Sequence, residues 1–290
     1  MAGIATNRTN IALPTEISQE VMQKTQEQSA VMQLARRIDL PGRGITIPVI
    51  TGDPTAAWVD ETGQKPVSNP TLSQKIMQAY KLAVIVPFSD EFRRDAASLY
   101  DAIVARLPLA LAAQFDATVF GNDNAPGANF DTFAAATAQD IGTDAYAGLV
   151  AADTDIATAG GILNGFVLSP QGKGVLLAAR DQQKRPLFIN SVAEGAVPMV
   201  LGARTLISRG AYKAGTAGTT PNVVGVAGDW TQAVYGTVEG VQVRFADQTS
   251  LTINNTQVNL WEHNMFAVRA EIEIGFRADT AVFNRLTSAA

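Results

Sequence analysis

Hydrophobic and polar positions follow two different periods along this chain, and the switches between them mark its elements. Over residues 1–42 apolar positions are sparse. Residues 2–12 are polar and aperiodic, and Thr15 stands where its hydroxyl can cap a helix. Ile17, Val21, Met32, Ala35 and Ile38 give that helix only a thin apolar stripe, so it needs another surface, its own chain's or a neighbour's. From 43 to 87 the period is two. Ile45, Ile47 and Val49 alternate, Gly52-Asp53-Pro54 breaks the run, a short strand is expected at Ala57-Trp58-Val59, and 60–66 form a polar tip. The chain returns in one extended stretch, 72–86, with Leu72, Ile76, Tyr80, Leu82, Val84 and Val86 on one face. Between Gln74 and Lys81 both faces carry polar groups. A long two-stranded ribbon of this kind does not stand alone and is expected to project onto a partner subunit.

At 89–120 the period becomes helical. Ser89 reads as the cap, Asp90 and Glu91 complement the positive helix end, and Phe92, Ala96, Leu99, Ile103, Leu107, Leu111, Phe115 and Val119 recur every three or four residues. Continuous, this helix would be roughly 48 Å long. Pro108 inside it predicts a kink or a break, and Gly121 ends it. Residues 122–143 read as a loop, and 144–158 as a second helix closed by Gly160-Gly161. A strand at Phe166-Val167-Leu168, a helix from Ser169-Pro170 to about Gln183, and short strands near 197–201, 205–208, 223–227 and 241–245 follow. Last, Phe266, Val268, Ala270, Ile272, Ile274 and Phe276 alternate with Ala267, Arg269, Glu271, Glu273, Gly275 and Arg277, a strand with one buried face. The expected fold class is α+β.

Composition narrows the classes of function. At 290 residues the chain exceeds one usual compact domain, so two lobes sharing a sheet, or two domains, are expected. A net charge of -5 argues against a surface built to grip nucleic acid. The absence of cysteine excludes disulfides and thiolate metal sites, and the single histidine, His263, excludes a His-rich one. The first residues carry no charged segment leading into an apolar one, and the most apolar run, 107–113, is far short of a membrane span. A soluble product made in a cytoplasm is the expectation.

Candidate chemistry is thin. Gly42-Arg43-Gly44 lacks the rest of any phosphate-binding pattern, and no serine sits in a nucleophile elbow. His263, between Glu262 and Asn264, reads as a surface residue rather than a general base. Asp60-Glu61 and Asp90-Glu91 are adjacent pairs whose side chains diverge, which suits a solvated turn and a helix start better than acid–base work. Arg36-Arg37 and Arg93-Arg94 are too sparse for a nucleic-acid patch and read as solvated or as intersubunit ion pairs. Trp58, Trp230 and Trp261 are assigned to core or interface packing. No catalytic, cofactor or metal constellation emerges. The residues alone point to an oligomer-forming structural protein, with an α+β enzyme of unrecognised site as the rival.

The order of these elements resembles the major capsid family of tailed phages, whose shell fold is shared with encapsulins. The matching pieces are the ribbon tip Trp58-Val59-Asp60-Glu61-Thr62-Gly63-Gln64-Lys65-Pro66, the helix entry Pro87-Phe88-Ser89-Asp90-Glu91 and its exit Phe115-Asp116-Ala117-Thr118-Val119-Phe120-Gly121. Later come Leu168-Ser169-Pro170, Arg180-Asp181, Arg185-Pro186-Leu187 and Gly228-Asp229-Trp230. Phe266-Ala267-Val268-Arg269-Ala270-Glu271, Phe276-Arg277 and Ala281-Val282-Phe283 complete the set. One segment departs from the family pattern: Gly121-Asn122-Asp123-Asn124-Ala125-Pro126-Gly127 replaces the usual Gly-rich run after the long helix.

The resemblance implies an N-terminal arm (1–42), an extended β-hairpin loop that overlaps a neighbour (43–87), and a peripheral domain with a spine helix (88–159). An axial domain (160–237) and return strands (238–290) follow. It implies hexamers and pentamers of one subunit, closing an icosahedral or prolate head around double-stranded DNA, with no membrane and no cofactor. A portal and a decoration protein are implied partners. Because the chain has no room for the scaffold extension of some members, a separate scaffolding protein or a processed chain is expected. Trp58, Asp60, Glu61, Lys65, Arg93 and Arg94 are the implied intersubunit contacts. In relatives that crosslink, a lysine amine attacks an asparagine amide with help from a buried glutamate; by position those roles fall on Lys65, Asn264 and Glu271. An encapsulin-like nanocompartment and a decoration or tail subunit are the competing readings.

Overall fold

The computed structural model describes residues 15–42, 44–52, 58–59, 71–91, 96–181, 183–188, 199–253 and 256–289, with 15–20, 47–52, 71–73 and 96–105 described by backbone alone. The first elements are α1 (Thr15–Gln28), α2 (Ala30–Leu34), β1 (Arg36–Asp39), β2 (Ile45–Gly52), β3 (Thr71–Met77) and β4 (Tyr80–Ser89). Then come α3 (Ala96–Val119), β5 (Thr137–Asp140), α4 (Ala145–Thr158), β6 (Gly165–Leu168), α5 (Pro170–Ala178), β7 (Met199–Val200) and β8 (Ala203–Ile207). β9 (Asn222–Gly228), β10 (Ala233–Thr237), β11 (Gln242–Ala246), β12 (Ser250–Ile253), β13 (Thr256–Asn259), β14 (Met265–Ala278) and β15 (Phe283–Ser288) complete the chain.

Two larger sheets and two hairpins result. β14 is the axis of the first sheet. β4 runs antiparallel along one side of it, while β11 and β10 share the other side, with β1 parallel to β10 at the margin. The alternation predicted for 266–276 is seen in the structure: Phe266, Val268, Ala270, Ile272, Ile274 and Phe276 are buried, and Arg269, Glu271, Glu273 and Arg277 are half-buried. The second sheet runs β5-β15-β9-β6-β8-β7. β2–β3 and β12–β13 are separate two-stranded hairpins.

One aromatic cluster joins the two sheets. Phe283 of β15 stacks on Phe133 with ring centroids 4.4 Å apart, and Trp230 meets Phe283 edge-on at 5.2 Å. Phe133 also meets Phe276 of β14 edge-on at 5.7 Å, and Phe276 in turn touches Phe115 of α3. Edge-to-face pairs of this kind add to the area they bury. The Trp230 indole donates to the Gly165 carbonyl at 3.1 Å, so its polar atom is satisfied inside the core. Helix ends are satisfied locally. Asp144 accepts from Ala147 N–H and Ser169 from Gly172 N–H. After α4, Gly160 at φ +84 lets its own N–H reach Ala157 and that of Gly161 reach Ile156, the paired bonds of a Schellman closure.

Several expectations change. The stretch 72–86 is two strands in two sheets, because Gln78-Ala79 resets the alternation: Ile76 is exposed, Met77 buried, and Tyr80, Leu82, Val84 and Val86 then face the core. The ribbon therefore ends at Met77 rather than 87. Ser89 closes β4 and accepts from Glu91 N–H at 3.4 Å, and the described long helix starts at Ala96. Pro108 breaks nothing; α3 is continuous for 24 residues, roughly 36 Å, with Leu107 and Leu111 buried on either side. Trp58 and Val59 lie outside any strand. The predicted loop 122–143 contains β5, and α5 stops at Ala178 rather than near 183. Strands β5 and β15 enter the second sheet from outside 160–237, so that span is not a closed unit. The N-terminal helices need no neighbour over 21–35: α1 and α2 pack on α3, and Val21, Ala30, Val31, Met32 and Ala35 are core.

Candidate assembly interface

Among the described strands, β2 and β3 pair only with each other. The register of this ribbon runs from Ile45–Met77 at the root to Gly52–Thr71, slipping between Ile50 and Gly52. Ile45 and Ile76 are exposed near its root, and Trp58 beyond it is wholly exposed. A two-stranded ribbon with solvent on its apolar side chains gains little from its own hydrogen bonds. It needs a covering surface.

The root, in contrast, is firmly held. Met77 is fully buried against Leu40 and Val234. Gly275 of β14 has to be glycine, because a Cβ there would come within 2.6 Å of the Gln78 carbonyl as the chain crosses over it. Beside this crossing the Arg277 guanidinium donates to the Ile76 carbonyl at 2.8 and 2.6 Å, to Asp131 Oδ1 at 2.7 Å and to Asn129 Oδ1 at 3.0 Å. Asp131 Oδ2 accepts from Ala278 N–H, and Lys75 Nζ donates to the Ala278 carbonyl at 3.0 Å while lying 3.8 Å from Asp131. The Arg277–Asp131 pair is mostly buried and fully hydrogen-bonded, the condition under which an ion pair resists solvent and salt. Sequence reasoning missed this clamp, since Arg277 read only as the polar member of an alternating strand and Asp131 as loop.

A second polar junction ties the N-terminal helices to the spine. Asp116 on α3 is buried and accepts from Ser29 Oγ at 2.5 Å, Ala30 N–H at 2.9 Å, Val31 N–H at 3.4 Å and Ser208 Oγ at 2.9 Å. Burial raises its carboxyl above the usual range, and the four hydrogen bonds oppose that shift without cancelling it. One side chain thus joins α2, α3 and the turn after β8.

Of the residues named from sequence as contacts or crosslink partners, Trp58, Asn264 and Glu271 fall among the described residues. Lys65, Asp60, Glu61, Arg93 and Arg94 lie outside the described residues. Asn264 occupies a left-handed position (φ +51) in the turn before β14, where its carbonyl accepts from Asp90 N–H at 2.9 Å. Glu271 lies seven positions further on, midway along β14, facing Ala83 and Gln242 across the ladders. Along an extended strand that separation is about 23 Å. The Glu271 carboxylate is 3.4 Å from Arg269 Nε, in a hollow of about 210 Å³ shared with Lys81, Glu239, Arg244 and Glu273, and its side chain is mostly buried. His263 is exposed in the same turn, its Nδ1 2.9 Å from the Asn259 carbonyl. Trp230 is core, while Trp58 and Trp261 are exposed. Among the described residues no group of three His, Asp or Glu side chains is placed to hold a metal ion, and no helix is long and apolar enough to cross a membrane.

Comparisons with known proteins agree with this geometry. Residues 9–280 match the model of the phage capsid family. A probable major capsid protein of Mycobacterium phage L5 is 30% identical over 95% of this chain and 89% of its own. Its counterpart in Mycobacterium phage D29 is 27% identical over 95% of this chain and 90% of its own. A solved structure from Gordonia phage Cozz superposes with a TM-score of 0.72, covering 91% of this chain and 87% of that one at 24% identity, which shows the shared fold. With a ribbon held at its root and exposing Ile45 and Ile76 there, and a family match spanning nearly every element, the chain belongs to the phage capsid family.

Proposed function

We propose that the chain is the major shell subunit of a phage head. Its copies associate as hexamers and pentamers and close an icosahedral or prolate container around double-stranded DNA. The observation that carries this reading is the β2–β3 ribbon, anchored by Arg277 and Asp131 yet exposing Ile45 and Ile76 to solvent, on a chain of this family. Laid on a neighbouring copy, the ribbon buries its exposed side chains, and the repeated head-to-tail contact closes rings. The net charge of -5 suits a wall that holds DNA without gripping it. The subunit performs no chemistry on a diffusible substrate. Assembly takes place in the host cytoplasm, with a separate scaffolding protein, a portal and a decoration protein as partners.

A crosslink deepens this reading. The Lys65 amine, deprotonated by Glu271, would attack the Asn264 side-chain carbonyl, forming an amide and releasing ammonia. Since Asn264 and Glu271 of one copy stand about 23 Å apart along β14, the pair serving one bond comes from different copies.

Electron microscopy of the purified chain, alone and with its scaffold, tests the main reading: closed shells of uniform size are expected. A chain that stays monomeric under both conditions refutes it. Denaturing electrophoresis of mature particles tests the crosslink, and monomer-sized bands alone end it.

A further inference from the structure

We propose that the pocket between α3 and β4 is a binding site for a small uncharged molecule built on one aromatic ring. The proposal stands apart from the shell reading and draws on a segment that reading leaves unused. Phe115 and Thr118 line the pocket from α3, Tyr80 and Leu82 from β4, and Pro126 and Phe130 from the loop after α3. Buried Ile274 of β14 adds to the lining. The loop opens with residues 121–127, the stretch that departs from the family's Gly-rich run. A run of glycines has no side chains with which to build such a wall. Here Asn124 and Pro126 supply it.

The walls are fixed before any guest arrives. Phe130 meets Tyr80, Phe115 and Phe276 with ring centroids 6.2, 6.3 and 6.0 Å apart, the first two edge-on. The Tyr80 hydroxyl accepts from Asn129 N–H at 3.2 Å, and Gly127 lies so close to that ring that a Cβ on it would overlap the Tyr80 oxygen. Walls pinned from three elements resist collapse into the space between them.

Size and chemistry set the guest. The pocket measures about 190 Å³. An apolar cavity of roughly 150 Å³ is enough for benzene, while drug-sized ligands need about 300 Å³ or more. A single ring fits and a nucleotide does not. Tyr80, Phe115 and Phe130 present rings to the space, so an aromatic guest extends the edge-to-face network already there. The polar groups at the mouth are engaged with protein partners. Gln114 donates to Asp123 Oδ2 at 2.8 Å, the Thr118 hydroxyl donates to the Gln114 carbonyl at 2.9 Å, and Lys81 Nζ lies 3.2 Å from Glu273. A charged guest would lose its hydration without gaining a free counter-charge.

Titration of the full unassembled chain with fluorobenzene, followed by fluorine NMR and by amide exchange, tests this. Saturable binding with a Kd of about 1 mM is expected for so few atoms. Exchange should slow at residues 80–82 and 114–118, which flank the pocket. Thr118→Leu narrows the pocket from the helix and Asn124→Leu closes it from the exposed rim; each should weaken binding at least about tenfold. Asn124 is exposed and outside the core, so its variant keeps the fold even where Thr118→Leu does not. Binding that does not saturate, that either folded variant retains in full, or that slows exchange only elsewhere overturns the proposal. So does binding by the unassembled chain that disappears from assembled shells, since a neighbour's side chain is then the occupant.

Discussion

Strands β3 and β4 follow each other with only Gln78 and Ala79 between them, and both carry apolar side chains at every second or fourth position of one face, yet they live in different environments. β4 lays Tyr80, Leu82, Val84, Val86 and Phe88 against the core and pairs with β14 along its whole length. β3 pairs with β2 alone and leaves Ile76 half exposed. The lesson is that alternation specifies a strand with a face to bury but is silent on what buries it. For β4 the answer lies in the same chain. For β3 the described strands supply only β2.

The largest expected effect is on the β4 side of this contrast, in the core that β4 helps to cover. Phe283→Ala removes the ring between Phe133 and Trp230, and should cost about 4 kcal/mol in urea unfolding. Asp116→Ala leaves the donors of Ser29, Ala30 and Ser208 unmatched, and should cost about 3 kcal/mol. Arg277→Ala acts at the boundary between the two strands. It should cost about 2 kcal/mol and speed amide exchange at 74–79 more than elsewhere. Ile76→Thr, on the ribbon, should change the unassembled chain by less than about 0.5 kcal/mol while lowering the yield of shells. A core-sized loss of stability from Ile76→Thr would erase the distinction between the strands.

The two acidic junctions also differ in how they respond to pH. The Asp116 carboxyl is raised, chiefly by burial, so the folded chain keeps that proton at a pH where the unfolded chain has lost it. Its contribution therefore grows as pH falls from neutral toward the ordinary carboxylate range. Asp140 is lowered, first by its bond from the Thr143 hydroxyl, so its contribution is present above the ordinary range and fades as pH drops through its folded value. Unfolding of the unaltered chain and of Asp116→Asn at pH 7 and pH 5 should show the gap between them widening at the lower pH. A gap that narrows contradicts the assignment.

Much of the body was legible because periodicity reports burial. The alternation over 266–276 became the axis of the first sheet, the helices expected to open at Asp144 and at Ser169-Pro170 do so with those residues as caps, and Gly160-Gly161 is the stop expected. The misses share a cause. β5, with Thr137, Ala138 and Asp140 all exposed, and β1, with Arg36, Arg37 and Asp39 exposed, are short margin strands whose membership comes from long-range pairing rather than from their own pattern. Pro108 was weighed as a local breaker, and the burial of Leu107 and Leu111 outweighs it. The Arg277–Asp131 clamp joins positions 146 residues apart, a distance at which single-sequence reading has no purchase. Of the crosslink triad, only Asn264 and Glu271 fall within the described residues, the first in the turn before β14 and the second midway along it.

The position of β15 has a consequence for the order of synthesis. It fills the slot between β5 and β9, and Phe283 supplies a wall of the aromatic cluster. A chain growing from its N-terminus holds both neighbours of this slot with nothing between them until residue 288 has left the ribosome. Until β15 pairs, the second sheet is split between β5 and β9 and the aromatic cluster lacks one wall, so the last strand is the one that closes both.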